Sequence, residues 1–192
     1  MRVGEPDWCA GKTVACIASG PSLTVDDVAL IERQGMPAIV TNNTHRLAPW
    51  ADALFGFDLK WWRQYGEETS GFAGERLTIS PGATKFGARL CPSPNVIMRY
   101  GNSGAAALAL ALQGNPSRVL LLGYDAKKAG NGKAHWHEDH PAGLSNCKSI
   151  GTWGKHFELT AMLARRRDAI VLNVSRETAI RCFPRAKLED VL

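Results

Sequence analysis

The hydrophobic positions of this chain come in short continuous runs broken by small polar clusters. Thr13-Val14-Ala15-Cys16-Ile17-Ala18 is the first run, stopped by Ser19-Gly20-Pro21-Ser22. An apolar run of this length between turn residues predicts a buried strand followed by a tight turn. From Thr24 to Gln34 apolar and polar residues mix, with Asp26 and Asp27 at the start. That predicts a helix with Ser22 or Thr24 as N-cap and acids at the positive end of its dipole. Ala38-Ile39-Val40-Thr41 and Ala53-Leu54-Phe55-Gly56-Phe57 predict two further strands.

Between Trp61 and Arg99 the pattern loosens. Two strand-like pieces, Arg76 to Ile79 and Val96 to Tyr100, are separated by Pro81, Gly82, Gly87, Pro92 and Pro94. Residues 61–99 are therefore expected to form an irregular insertion at the sheet edge. Regular alternation then resumes. Ser103-Gly104 opens an alanine- and leucine-rich stretch to Leu112, a strong helix former ended by Gly114-Asn115-Pro116. Arg118-Val119-Leu120-Leu121-Leu122 predicts a buried strand running into Gly123-Tyr124-Asp125. A polar, histidine-rich loop over 127–149 is too long to be a mere connection. Trp153 to Arg167 predicts a helix whose last turn carries Arg165, Arg166 and Arg167, where cations suit the dipole. Ala169 to Asn173 predicts the last strand. Strands alternating with helices, with no internal repeat, predict one Rossmann-like α/β domain over 1–192. It is expected to have three layers around a mostly parallel sheet of five or six strands.

Composition narrows the function classes. Hydrophobic residues at 45% and charged residues at 21% fit a globular fold and exclude a disordered or fibrous chain. The absence of a long apolar run predicts no membrane span. The first ten residues have no apolar signal region, so a cytoplasmic location is expected. Cys9, Cys16, Cys91, Cys147 and Cys182 are odd in number and never spaced C-x-x-C, which fits neither a disulfide framework nor a zinc ribbon. Cys16, inside an apolar run, reads as a core residue. The net charge of +5 is spread along the chain. It points to a small anionic ligand rather than to nucleic acid. Assembly into a homo-oligomer stays open.

Each predicted strand ends in a polar cluster, and in a parallel sheet those ends share one rim. Ser19-Gly20-Pro21-Ser22 offers amides and hydroxyls to an anion, or is simply a turn and cap. Asn42 and Asn43 can read a base or ribose edge, or form a turn. Asp58 and Asp125 end two more strands. Ser103-Gly104 can present amides to a phosphate while Asn102 or Ser103 caps the helix. In Asn173-Val174-Ser175-Arg176-Glu177-Thr178, Ser175, Thr178 and Arg176 can contact an anion, or Ser175 can cap a helix. The densest feature is His135-Trp136-His137-Glu138-Asp139-His140. Its imidazoles suit acid–base work, a phosphate grip or a metal, although the spacing matches no standard metal motif. A polar surface loop is the plain alternative. Of the tryptophans, Trp136 is the candidate for stacking on a base.

The order Ile17-Ala18-Ser19-Gly20-Pro21-Ser22-Leu23, Thr41-Asn42-Asn43, Asn102-Ser103-Gly104, Leu122-Gly123-Tyr124-Asp125 and then a histidine loop resembles two related families. These are the bacterial sialyltransferases of the Campylobacter type and the MptE-like 6-hydroxymethylpterin pyrophosphokinases. Small phage-encoded proteins with the same Gly-Pro-Ser-Leu start and a His-Trp-His-x-Asp-His-Pro loop look closer still, which would place the chain in a host cytoplasm. The resemblance runs from about Val14 to Pro184. It implies a cytidine nucleotide-sugar site at Gly20, Pro21, Ser22, Asn42, Ser103 and Gly104. It also implies a histidine base, with His140 or His137 the nearest match and His156 an alternative. The expected function is a nucleotide-dependent, glycosyltransferase-like enzyme, with the nucleotide or nucleotide-sugar as substrate or ligand, no cofactor assigned and magnesium left open. One alternative is a pyrophosphokinase with magnesium held by Asp58, Asp125 and Asp139. The other is a non-catalytic protein that sequesters a nucleotide.

Overall fold

The computed structural model describes residues 6–141, 143–144 and 149–192; Cys147 lies outside them. Seven strands form one sheet: β1 (Thr13–Ile17), β2 (Ala38–Thr41), β3 (Ala53–Gly56), β4 (Glu75–Thr78), β5 (Arg89–Leu90), β6 (Arg118–Leu122) and β7 (Ile170–Asn173). Their order is β5-β4-β3-β2-β1-β6-β7, and every pairing between neighbours is parallel. The helices are α1 (Val25–Arg33), α2 (Leu59–Tyr65), α3 (Pro94–Ile97), α4 (Ser103–Gln113) and α5 (Trp153–Arg166).

Period-two alternation along the strands builds two cores. Ala15 and Ile17 of β1 face the layer of α1 and α2, while Cys16 faces the layer of α4 and α5. The result is the expected α/β sandwich of helices, sheet and helices. Thr24 caps α1 in a capping box with Asp27, selecting one of the two predicted caps. α4 is buried on all sides from Ala105 to Leu112, lying between the sheet and α5. Its alternating alanines explain how: small side chains let it sit close to both neighbours.

Two expectations are corrected. The sheet has seven strands rather than five or six, because 61–99 adds β4 and β5 to its edge. β5 is only two residues long, too short to leave a pattern in the sequence. Val96 to Tyr100 is not a strand: α3 and a 3-10 turn over Met98–Tyr100 occupy it. Pro94 sits at the start of α3, where its fixed φ suits a helix and its missing N–H leaves nothing unsatisfied. Ile97 is buried while Val96 and Met98 are exposed, so the apolar run does not make a buried strand. Among the described residues no helix is long and apolar enough to cross a membrane.

The chain order matters for the site. From β1 the strands step outward in one direction to β5, and β6 then returns to the other side of β1. The loops after β1 and β6 therefore leave in opposite directions, and a crevice opens between them at the carboxyl ends of the strands.

Candidate functional site

A cleft of about 300 Å³ opens at that switch point. It is lined by the segments that follow β1 (Ala18 to Pro21), β2 (Asn42), β3 (Phe57 and Asp58) and β6 (Gly123 to Lys127). The start of α4, the aromatic rings of Trp153 and Phe157 on α5, and His135 and His140 complete it. Ser19, Gly20, Pro21, Asn42, Asp58, Ser103, Gly104, Asp125, His135 and His140 thus meet at one cavity, from six separate stretches of sequence.

The turn after β1 is closed by its own bonds. The Gly20 amide donates to the Gly123 carbonyl at 2.8 Å, and the Ser22 amide donates to Asp125 Oδ2 at 2.8 Å. Ser22 Oγ donates to Asp125 Oδ1 at 2.9 Å, and Pro21 has no amide hydrogen. A Cβ on Gly20 would collide with the Asp125 carboxylate and the Gly123 carbonyl, so only glycine fits. Gly123 has φ +66°, and a Cβ there would strike the Ala18 carbonyl. Asp125 is 2% exposed, and burial pushes its carboxyl up to about 6 despite the two Ser22 bonds.

The start of α4 is different. Asn102 Oδ1 accepts from the Ala105 amide at 2.9 Å, and Asn102 Nδ2 lies 3.3 Å from His156 Nδ1. The amides of Ser103 and Gly104 have no hydrogen-bond partner among the described residues. Two residues of the cleft lining, at the positive end of an 11-residue helix, thus have backbone donors with no partner among the described residues. Asn42 reaches across from β2, and its Nδ2 donates to Ser103 Oγ at 3.2 Å. Asn42 has φ +50°, a left-handed conformation that asparagine tolerates better than most residues. Its Oδ1 is buried and has no partner among the described residues. Asp58 is exposed at the cleft, and partial burial of its carboxyl raises it above the usual range.

The histidine segment is moored to the same rim. The Trp136 amide donates to the Ser19 carbonyl at 3.2 Å, and Trp136 Nε1 donates to Thr44 Oγ1 at 3.4 Å. Thr44 Oγ1 in turn lies 3.0 Å from Ser19 Oγ. The Trp136 ring packs against the core on the α1–α2 side and does not line the cleft, so it anchors the loop. His135, His137 and His140 pack against each other, with ring centroids 4.9 to 5.1 Å apart. Tyr65 Oη lies 3.1 Å from His140 Nδ1. Burial, then repulsion from the neighbouring rings, pushes His135 and His140 down to about 4, and burial lowers His137. At neutral pH the cluster is uncharged.

Other predicted residues lie elsewhere. Asn43 is buried and accepts from Trp61 Nε1 at 2.7 Å. Ser22 and His137 are not among the lining residues, though Ser22 bonds to Asp125 and His137 packs against His135 and His140, which are. No helix starts at Ser175. Instead Ser175 Oγ accepts from the Tyr124 amide at 2.8 Å, and Thr178 Oγ1 donates to the Tyr124 carbonyl at 2.7 Å. Arg176 clamps the Asp27 carboxylate of α1 through two bonds of 2.9 and 2.8 Å. Sequence reasoning missed Phe57, Phe157 and Tyr65 and gave Trp153 only a packing role. Trp153 and Phe157 are four apart on α5, a spacing that puts both on one face and could have signalled a shared wall. Among the described lining residues Lys127 is the one lysine or arginine, and it is paired with Glu177 at 2.7 Å.

Comparison of the chain with protein-family models, with curated proteins and with solved structures finds no match. The functional reading therefore rests on the cleft's own chemistry.

Proposed function

We propose that the cleft binds a nucleotide through its phosphate and that the protein is a nucleotide-dependent transferase, with a nucleotide-sugar as donor. The observation that carries this reading is the pair of amides at Ser103 and Gly104, with no partner among the described residues, on two residues that line a cleft at the β1–β6 switch point. Such amides and the helix dipole suit a phosphate oxygen. The aromatic rings of Phe57, Trp153 and Phe157 offer faces for a base or sugar. Asn42 Oδ1 and Asp58 offer acceptors for hydroxyl or amino groups. His135 and His140, uncharged at neutral pH, can take a proton from an acceptor hydroxyl. Phosphate departure would be eased by the two amides, which stabilise the charge that develops on its oxygens.

One observation favours a second reading, a non-catalytic nucleotide binder. Rings held near 4 are weak proton acceptors, and a binder needs none. The pyrophosphokinase reading would use Asp125 for magnesium, yet both of its oxygens are engaged by Ser22.

A thermal-shift panel of cytidine, uridine, adenosine and guanosine diphosphates and their sugars tests the cleft. A ligand at a hundred times its dissociation constant adds about 2.7 kcal/mol of stability. At least one compound should raise Tm in the wild type and not in Asn42→Ala. A flat response across the panel overturns the nucleotide reading. If a ligand is found, His140→Ala should keep binding and lose sugar transfer. A wild type that binds but never turns over leaves the binder.

A further inference from the structure

The hydrogen-bonding groups of the cleft divide into those already spent and those left over. Two carboxylates line it, Asp58 and Asp125. Both oxygens of Asp125 are held by Ser22. Asp58 is the opposite case. It occupies the N-cap position of α2 with the extended backbone of a cap, φ −93° and ψ 133°. An aspartate there ordinarily turns an oxygen onto an amide of its own helix. Asp58 makes no such bond, and among the described residues its carboxylate has no hydrogen-bond or ion-pair partner. The main chain on either side of it is held. The Phe57 carbonyl accepts from Ser80 Oγ at 3.2 Å, and the Asp58 carbonyl accepts from the Trp62 amide at 3.2 Å. A Cβ on Gly56 would strike the Trp62 ring, so β3 runs into this turn in tight contact with α2. Asn42 follows β2, the strand next to β3. Its Nδ2 is spent on Ser103, and its buried Oδ1 has no partner among the described residues. Two neighbouring strand ends therefore offer the ligand acceptors.

We propose that Asp58 determines which sugar the cleft takes: its carboxylate, with Asn42 Oδ1 at the adjacent strand end, accepts hydrogen bonds from the 2′- and 3′-hydroxyls of a ribose. This rests on the nucleotide reading and names the class of nucleotide, a ribonucleotide rather than a deoxyribonucleotide. The two oxygens of an ionised carboxylate can take both hydroxyls of a vicinal diol, whereas a 2′-deoxyribose brings one donor fewer. Hydrogen bonds to a charged acceptor are the strong ones. Partial burial has already taken water from the Asp58 carboxylate, and the diol replaces those bonds. A sugar without the second hydroxyl leaves an acceptor unpaired, which is how a site built for a hydroxyl rejects the analogue that lacks it. Asn42 joins this corner to Ser103 at the start of α4. The hydroxyl acceptors thus adjoin the phosphate donors, as sugar and phosphate adjoin in one nucleotide.

The test measures by calorimetry the affinity of the wild-type protein for cytidine, uridine, adenosine and guanosine diphosphates and for the 2′-deoxy form of each. Ribose 5-phosphate and 2-deoxyribose 5-phosphate make a further pair without a base. A ribonucleotide that binds should do so about tenfold more tightly than its 2′-deoxy form. Asp58→Ala should bring that ratio close to one. Asp58 is exposed and its side chain does not cap α2, so this variant should fold, and an unchanged Tm checks that it has. Lys60→Ala, an exposed change two residues away, should keep the ratio. Equal affinity for the two sugars in the wild type, or a ratio that survives in Asp58→Ala, overturns the proposal and leaves the nucleotide reading standing. Discrimination between the two sugar phosphates with no nucleotide bound removes the nucleotide reading and keeps the hydroxyl site. Binding of none of these compounds overturns both.

Discussion

Two glycine-bearing turns face each other across the cleft, one after β1 and one before α4. In the sequence both look like cradles for an anion. In the fold they do opposite things. The Gly20 and Ser22 amides of the first turn go to Gly123 and Asp125, and the Ser103 and Gly104 amides of the second have no partner among the described residues. A backbone donor is available to a ligand only after its internal partners are counted. The first turn shapes the site and the second is equipped to hold something in it.

The largest expected difference between them is in stability. Gly20→Ala places a methyl group against the Gly123 carbonyl and the Asp125 carboxylate, and should destabilise the fold by about 3 kcal/mol in urea unfolding. A loss below about 1 kcal/mol would mean that the turn is looser than its contacts indicate.

Asp125 gives the next effect. Its carboxyl binds a proton more tightly in the fold, at about 6, than in the unfolded chain. The stabilisation from protonated Asp125 is therefore complete below about pH 4 and lost as pH rises through about 6. It amounts to roughly 2–3 kcal/mol. Asp125→Asn should flatten that part of the stability profile, measured as the difference from wild type between pH 4 and pH 7. Parallel profiles for the two proteins would place the buried charge elsewhere.

Asn102→Ala removes the cap from α4 and should cost about 1 kcal/mol. It should also weaken any phosphate-bearing ligand, because Ser103 and Gly104 lose their fixed orientation. Unchanged ligand affinity would detach the amides from binding. The smallest stability effect is expected for Gly104→Ala. A Cβ there meets the Tyr124 ring at 3.3 Å and no backbone, so stability should stay within about 0.5 kcal/mol. Ligand affinity should still fall as the methyl group crowds the mouth. If Gly20→Ala and Gly104→Ala behave alike in both measurements, the contrast between the turns is wrong.

These contrasts also mark how far the sequence could be read. β1, β2, β3, β6, α1, α4 and α5 were visible because each carries a run or repeat long enough to show its period, and turn residues bound it. The Val96–Tyr100 segment was misread because Val, Ile and Met in series suit a strand or a helix, and the environment that decides between them is distant in sequence. The site was legible as a set of strand ends. What each end does was not. The Gly20 turn is closed by Asp125, 103 residues away from Ser22, and no local pattern announces such a partner. Arg176 looked like an anion clamp and is one, but for Asp27 of this chain, 149 residues distant.

The return of β6 to the side of β1 has a consequence for biosynthesis. Until residues 118–122 leave the ribosome, β1 has β2 on one side and a bare edge on the other. Emerging chains join strands from the N-terminus onward, so the first five strands can associate well before the central one is covered. An uncovered apolar edge is where chains aggregate. Growing polypeptides truncated near residue 115 should therefore stick to one another, while those extended past residue 125 gain both the missing neighbour and the carboxylate that locks the first turn.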